Sequence, residues 1–178
     1  MILPFDEVDA LIAEARERSA SGKIDTEELI DEVLDLYITD FVFGTNAAAE
    51  MLGIDITPDM EEMQSSIEKK FDGKGFRDRL REYAPSNDIE AIVKVIDTDS
   101  TRIFNEGILS AAQKAGATKK TWHTMRDEKV RDTHSPLEGM TIPIADEFYT
   151  WDSDRAMAPG EFALPQNNVN CRCYLTVS

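Results

Sequence analysis

Residues 119–150 read KKTWHTMRDEKVRDTHSPLEGMTIPIADEFYT, and residues 168–173 read NVNCRC. Both histidines, both cysteines and both tryptophans of the chain lie in this last third. Short runs in which apolar and polar residues alternate are separated here by turn-forming pairs such as Ser135-Pro136 and Pro159-Gly160. This pattern is typical of short strands joined by loops. We therefore predict strands at residues 120–125, 140–144 and 171–177.

The residues before this region repeat apolar side chains at the spacing of amphipathic helices. Helices are predicted at residues 5–19, 25–52, 57–72, 76–83 and 87–115. Asp25 is the expected cap of the second helix, and Gly44 is a candidate interruption of it. Thr57-Pro58 is the expected start of the third helix, because threonine can cap and proline suits the first helical position.

The predicted fold class is α+β, with a helical N-terminal two-thirds followed by a small, loop-rich C-terminal module that contains β-strands. We divide the chain into an acidic helical docking region, residues 1–68, and a domain at residues 69–178. That domain comprises the long helix at 87–115 and a small sheet module at 118–177. The acidic helices either pack as a bundle or form an arm that docks on a partner.

The net charge of −16 is unevenly distributed. Residues 1–68 hold 18 acidic and 3 basic residues, whereas residues 69–178 hold 17 acidic and 16 basic residues. This distribution excludes a protein that coats DNA as a monomer, because non-specific DNA affinity comes from lysine and arginine that neutralise phosphates. DNA contact is expected only from a local basic patch.

No membrane contact is expected from this sequence. No apolar run approaches the ~20 residues that cross a bilayer. No cationic, apolar leader precedes the acidic residues that follow Phe5, so we expect synthesis inside the cell.

His134, Cys171 and Cys173 are candidate metal ligands, and a fourth ligand is sought among His123, Asp127 and Asp132. Two cysteines separated by one residue do not predict a disulfide, since such a bridge would be strained. Thiolate and imidazole suit zinc, which could fasten loops too long to be held by apolar burial. The alternative is a pair of buried thiols with a histidine that hydrogen-bonds a loop carbonyl.

The same residue types also fit a cysteine nucleophile, with His134 as its base and Asp127 or Asp132 as the group that orients the base. Few features of the sequence would activate such a cysteine. Neither cysteine lies at a predicted helix N-terminus, and Arg172 is the one basic residue beside them.

Residues 126–132 read RDEKVRD and carry mixed charge. Asp127 and Arg131 either form a structural pair that fixes the loop, or the basic residues bind phosphate, or all these charges are solvated and self-paired. Trp122 and Trp151 are predicted to be core anchors.

The long helix carries an unexpected polar block at residues 97–106. Asp99, Arg102 and Glu106 are spaced so that they share one helical face. This face is either exposed on the surface or packed against the loop-rich C-terminal part. In the second case it would supply the hydrogen bonds that irregular backbone requires when it is covered.

These residues together resemble a known family. The resemblance rests on an ordered set in the last third: Trp122, Asp127, Val130-Arg131, His134, Leu137-Glu138-Gly139, Phe148, Pro159-Gly160 and Asn170-Cys171-Arg172-Cys173. This order is similar to that of the head-morphogenesis domain of Mu F-like minor head proteins from tailed bacteriophages and prophages. Thr98-Asp99, Arg102 and Asn105 are similar to a run on the helix that precedes that domain. The resemblance covers about residues 69–177.

The resemblance implies a structural phage protein and no enzymatic activity. Its expected place is the interior of the virion or procapsid, and the host cytoplasm during assembly. It implies action in head assembly and in DNA packaging or delivery, with the portal and/or the major capsid protein as partners. Many relatives are longer at the N-terminus, so a partial form of a longer protein is also compatible with it.

Within this interpretation, structural or interaction roles are expected for Asp99, Arg102, Trp122, Asp127, Arg131 and Gly139. Local DNA contact is sought in Lys69–Arg81 or Lys119–Arg131. A structural zinc ion is the one cofactor considered. The rival interpretation is a metal- or cysteine-dependent hydrolase or effector that uses His134, Cys171 and Cys173.

Overall fold

The computed structural model of this protein describes residues 5–22 and 24–178. Within these residues the helices are α1 (Phe5–Ala20), α2 (Thr26–Leu52), α3 (Met60–Ile67), α4 (Phe76–Tyr83) and α5 (Ile89–Lys114). The strands that follow are β1 (Lys119–His123), β2 (Thr141–Pro143), β3 (Phe148–Tyr149), β4 (Arg155–Ala156) and β5 (Tyr174–Val177). A 3₁₀ turn (Ser135–Leu137) and a one-turn helix, α6 (Pro165–Asn168), lie between strands. The predicted α+β class is confirmed.

Aspartate side chains cap α2 and α3. Asp25 begins α2 and Asp59 begins α3, and each carboxylate accepts two backbone N–H groups of the first turn. The expectation that Thr57-Pro58 begins α3 was wrong, because the stronger cap lies one residue after the proline. None of the helices in the described ranges combines the length and apolar composition of a membrane span.

Helices α2 and α5 pack along each other at very short range. The expected interruption of α2 at Gly44 was wrong, since the helix runs through this residue. An added Cβ at Gly44 would overlap the carbonyl oxygen of Phe104, and one at Gly107 would lie 2.5 Å from the carbonyl oxygen of Phe41. The two backbones can approach this closely only because both positions lack a side chain.

Two hydrophobic clusters divide α5 between them. The first joins α1 to α4 with the N-terminal half of α5, where Ile92 and Ile96 are fully buried. The second joins the C-terminal half of α5 to the sheet, around Phe104, Ile108 and Trp122. The acidic helices therefore pack as a bundle on α5. The boundary proposed between residues 68 and 69 stays a prediction.

The sheet module is built around β1, which pairs antiparallel with β2 on one side and β5 on the other. Trp122 of β1 lies opposite Leu175 of β5, and both are 0% exposed. A separate hairpin pairs Phe148 of β3 with Ala156 of β4. Between these two strands lies Trp151, which is 70% exposed. The expectation of Trp151 as a core anchor was therefore wrong.

We expect the replacement Gly44→Ala to lower the free energy of unfolding by about 2–3 kcal/mol, because the new methyl group must push α2 and α5 apart. Helix propensity alone would favour alanine by about 1 kcal/mol, so a loss shows that packing decides the sign. Chemical denaturation measures the change.

Gly75→Ala is the matched control, since an added Cβ there meets nothing closer than 3.9 Å. It should cost less than about 1 kcal/mol, the scale of a changed helix cap. A Gly44→Ala protein as stable as the wild type would contradict the close contact.

Candidate functional site

His134, Cys171 and Cys173 meet in the interior of the sheet module. The imidazole Nδ1 of His134 lies 3.7 Å from the Sγ atom of Cys171 and 3.5 Å from that of Cys173. All three side chains are buried, and their ligand-type atoms lie within 4.8 Å of one another. Both cysteines are free thiols. We call these three residues the buried trio.

A short turn and two aromatic rings place the imidazole. The carbonyl oxygen of Arg131 accepts the backbone N–H groups of His134 and Ser135, at 3.0 and 2.9 Å. The imidazole stacks on Phe162 and meets the edge of Trp122, with ring centroids 5.3 and 5.6 Å away. Its Nε2 is buried, and no described residue hydrogen-bonds to it. The orientation of this ring is therefore set by packing and by the contacts of Nδ1 with the two sulfurs.

Side chains of α5 hold the backbone that carries the two cysteines. Thr101 Oγ1 donates to the carbonyl oxygen of Cys171 at 2.6 Å. Asn105 Nδ2 donates to that of Cys173 at 3.1 Å, while Asn105 Oδ1 accepts the backbone N–H of Leu175 at 2.9 Å. The polar block of α5 thus lies in the interior, where it satisfies backbone groups of β5 and of the segment before it.

Arg102 is the central charge of this polar block and is 0% exposed. Its Nη1 donates to the carbonyl oxygen of Ser66 at 2.9 Å and to Glu106 at 2.7 Å, and Asp99 lies 4.0 Å from its Nη2. Gly160 crosses directly over it with a φ of +88°, and an added Cβ there would lie 2.8 Å from Arg102 Cβ. Glycine is therefore required where this loop passes the helix.

The charged loop before the buried trio does not contain the Asp127–Arg131 pair that was one of the three expectations. Asp127 accepts a hydrogen bond from Arg172, which lowers the pKa of this carboxyl group, and no Asp127–Arg131 pair forms. The side chain of Arg131 is half-buried. His123 bonds the hydroxyl of Thr176 at 2.8 Å. Among the described residues, none of the three candidates His123, Asp127 and Asp132 adds a fourth ligand to the buried trio.

Gly139 and Glu138 fix the turn that follows the 3₁₀ segment. Gly139, at a φ of +72°, donates its N–H to the carbonyl oxygen of Trp122 at 2.8 Å. Glu138 accepts the backbone N–H and the hydroxyl of Thr124 at 2.6 and 2.8 Å, and Arg126 Nη2 at 2.7 Å. Partial burial acts to raise the pKa of Glu138, but these hydrogen bonds outweigh it and lower the pKa to about 2.

Sequence reasoning missed the side chains that organise the loop from 150 to 170. Asp154 accepts the backbone N–H groups of Ala163 and Leu164 at 3.1 and 2.9 Å. Asn168 brackets Phe162, accepting its N–H at 3.0 Å and donating to its carbonyl at 2.6 Å. Aspartate and asparagine in such a segment indicate turns, but they carry no local signal of which distant backbone they bind.

The electrostatics of the buried trio favour a single negative charge. Hydrogen bonds from Cys173 and then from His134 lower the pKa of Cys171. The hydrogen bond with Cys171, together with burial, raises the pKa of Cys173. A second thiolate is therefore unfavourable in this interior unless a cation shares its charge.

The space beside the buried trio is small. His134 and Cys173 line a cavity of about 10 Å³, enough for about one water molecule. The trio could therefore hold a metal ion and one small ligand. Cysteine catalysis would need a group that orients the imidazole and room for a substrate, and no described residue bonds Nε2.

Glu138→Gln should weaken the protein in a pH-dependent way. The folded-state pKa of about 2 lies below the value of about 4.3 expected in an unfolded chain. The stabilisation is therefore complete above about pH 4.5 and is lost as the pH falls towards 2. Urea denaturation at several pH values should show the free energies of unfolding of wild type and variant approaching each other as the pH falls from about 4.5 towards 2.

Glu128→Gln removes an equal charge from an exposed position in the same loop and serves as the control. If the free energies of unfolding of wild type and Glu138→Gln differ by a constant amount from pH 6 down to about pH 2.5, the carboxylate contacts do not set the low pKa.

Asn105→Ala should lower the free energy of unfolding by about 2–4 kcal/mol, because it leaves the carbonyl of Cys173 and the N–H of Leu175 buried without partners. Thermal and chemical denaturation measure the loss. Asn46→Ala is the matched control, an exposed asparagine inside α2, and should be neutral or slightly stabilising. Equal effects at the two positions would rule out a bridging role for Asn105.

Comparison with known proteins identifies the family. Residues 60–176 match the family model described as Phage Mu protein F like protein. Neither the curated proteins nor the solved structures gave a match. The matched range contains α3 to α5, the buried trio and the whole sheet up to the penultimate residue of β5, and it confirms the resemblance seen in the sequence. The chain therefore belongs to the Mu F-like family of bacteriophage head proteins.

Proposed function

We propose that this protein is a minor structural component of the phage head. It acts in head assembly and in DNA packaging or delivery, from the interior of the procapsid, with the portal and/or the major capsid protein as its partners. The observation that carries the proposal is the family match over residues 60–176. The portal association and the packaging step are the finer parts that experiments must test.

The geometry of the buried trio supports a structural role over catalysis. Its adjoining cavity of about 10 Å³ is far below the 300–1,000 Å³ or so typical of ligand clefts. Two larger cavities, of about 620 and 540 Å³, lie beside α3 and α4, and neither is lined by a cysteine or by His134. Within the part of the chain that the structure describes, the space beside the groups of the rival hydrolase chemistry is therefore too small for a substrate, which supports the structural role.

The outer face of α2 is the surface that we propose for docking. Asp31 and Asp35 are exposed and lie four residues apart, so their like charges repel. Neither forms an ion pair with another described residue. Carboxylates arranged in this way repel DNA and suit a basic protein surface, such as one on the portal or the shell.

The basic region Lys69–Arg81 offers DNA little free charge, because four of its side chains pair within the chain. The pairs are Lys69 with Glu106 and Glu161, Lys74 with Glu82, Arg79 with Asp99, and Arg81 with Glu27. In Lys119–Arg131, by contrast, Lys119 and Lys129 are exposed. We therefore propose protein docking through α2 first, and local DNA contact through Lys119–Arg131 second.

Deletion of the gene from the phage that encodes it, with complementation from a plasmid, tests the proposal. We expect the chain in purified DNA-filled heads at a low copy number by quantitative mass spectrometry. Without it, the titre of infectious particles should fall. Heads that lack the chain, combined with an unchanged titre in the deletion, would overturn the proposed function.

The double variant Asp31→Asn/Asp35→Asn tests the docking face. It should fold at least as well as the wild type, because it removes like-charge repulsion worth a few tenths of a kcal/mol, yet it should enter heads less efficiently. Glu128→Gln/Asp132→Asn makes the same change in charge at exposed positions of the sheet module and should enter heads normally. If both double variants enter heads equally poorly, the effect comes from net charge, and docking through α2 is contradicted.

A further inference from the structure

The two sulfur-to-nitrogen distances within the buried trio match those between ligands of one zinc ion. With Zn–S bonds of ~2.3 Å and Zn–N bonds of ~2.0–2.1 Å at tetrahedral angles, the sulfur-to-nitrogen separation is ~3.6 Å. The observed separations are 3.7 Å for Cys171 and 3.5 Å for Cys173, both to the same Nδ1 atom of His134. One nitrogen and two sulfurs thus lie within 4.8 Å of one another, close enough to bind a single ion.

The donor set also selects the metal. Two thiolates and an imidazole are soft and borderline ligands that prefer zinc over magnesium or calcium. The three side chains are at most 4% exposed, so a bound ion would be shielded from bulk solvent. The indole of Trp122 packs against His134 with ring centroids 5.6 Å apart, and its buried Nε1 has no hydrogen-bond partner among the described residues. An unpartnered N–H this near to the trio is available to support a metal ligand from outside the coordination sphere.

The position of the buried trio gives an ion a mechanical role. His134 ends the loop that leaves β1, and the cysteines lie 37 and 39 residues later, immediately before β5. The loop between β1 and the 3₁₀ turn has no helix or strand of its own. An ion at this point would join that loop to the segment that enters the central strand pair.

We propose that His134 Nδ1, Cys171 Sγ and Cys173 Sγ bind one zinc ion, with a single water completing its coordination. The cavity of about 10 Å³ beside His134 and Cys173 has room for about one water. No fourth carboxylate, imidazole or thiol joins the group among residues 5–22 and 24–178. The ion fastens the module, and this inference stands independently of any role in the phage head.

The test uses the full chain, purified under reducing conditions without chelator. Elemental analysis should find about one zinc per chain, as for a structural site. Cobalt(II) should replace it and give thiolate charge-transfer absorption, roughly halved in Cys171→Ser because one of two thiolates is lost. Removal of zinc by a chelator should lower the melting temperature, and added zinc should restore it.

Two histidine variants form the matched comparison. His134→Gln should lose zinc affinity by at least about tenfold, since even outer-support residues carry that much, whereas His123→Gln should keep it. If His134→Gln does not fold, His134→Cys is the second variant that tests the site. Its third thiolate should retain the metal and strengthen the cobalt absorption.

Circular dichroism and cooperative melting establish that each sample is folded. A folded, reduced wild-type chain that binds neither zinc nor cobalt would overturn the proposal. Zinc that stays bound in both Cys171→Ser and His134→Gln would also overturn it, because the metal would then lie elsewhere on this acidic protein. All these readouts use purified protein, so they succeed or fail separately from the head-assembly experiments.

Discussion

Two hydrogen bonds from α5 to the carbonyls of Cys171 and Cys173 fix the C-terminal module in place. Thr101 and Asn105 are four residues apart on a helix, a rise of ~6 Å. Carbonyls two residues apart on an extended chain are separated by ~6.6 Å and point the same way. The helix and the segment before β5 therefore match in spacing. The same two-residue interval also puts both sulfurs on one side, where they meet His134.

The middle of α5 hydrogen-bonds backbone groups on one side and forms buried ion pairs on the other. Arg102 and Asp99 are buried between the two hydrophobic clusters, where apolar residues would pack at least as well. A buried ion pair is weak evidence for stability, but its geometry is demanding. Arg102 reaches the carbonyl of Ser66 on α3, and Gly160 crosses its backbone. These contacts hold α3 and the loop at Gly160 against the same point of α5.

Much of this architecture could be predicted from local patterns. Helical periodicity located all five long helices, and the CRC and His134 pattern brought together the residues of the trio. What failed depended on distant partners. Gly44 looks like a helix break until α5 lies against it, and Trp151 looks like a core residue until the hairpin turns it outward. The partners of Asp127 and Asn168 are set by loop paths that no sequence period encodes.

The packing of the acidic helices has a consequence for how the protein can act in a head. A docking segment on a flexible arm would deliver the sheet module without orienting it. Here α2 carries the exposed carboxylates on one face and contacts α5 through Gly44 and Gly107 on the other. The same half of α5 holds the sheet module through Asn105. Docking through α2 would therefore fix the direction in which the module and its loops face, because no flexible joint lies between them.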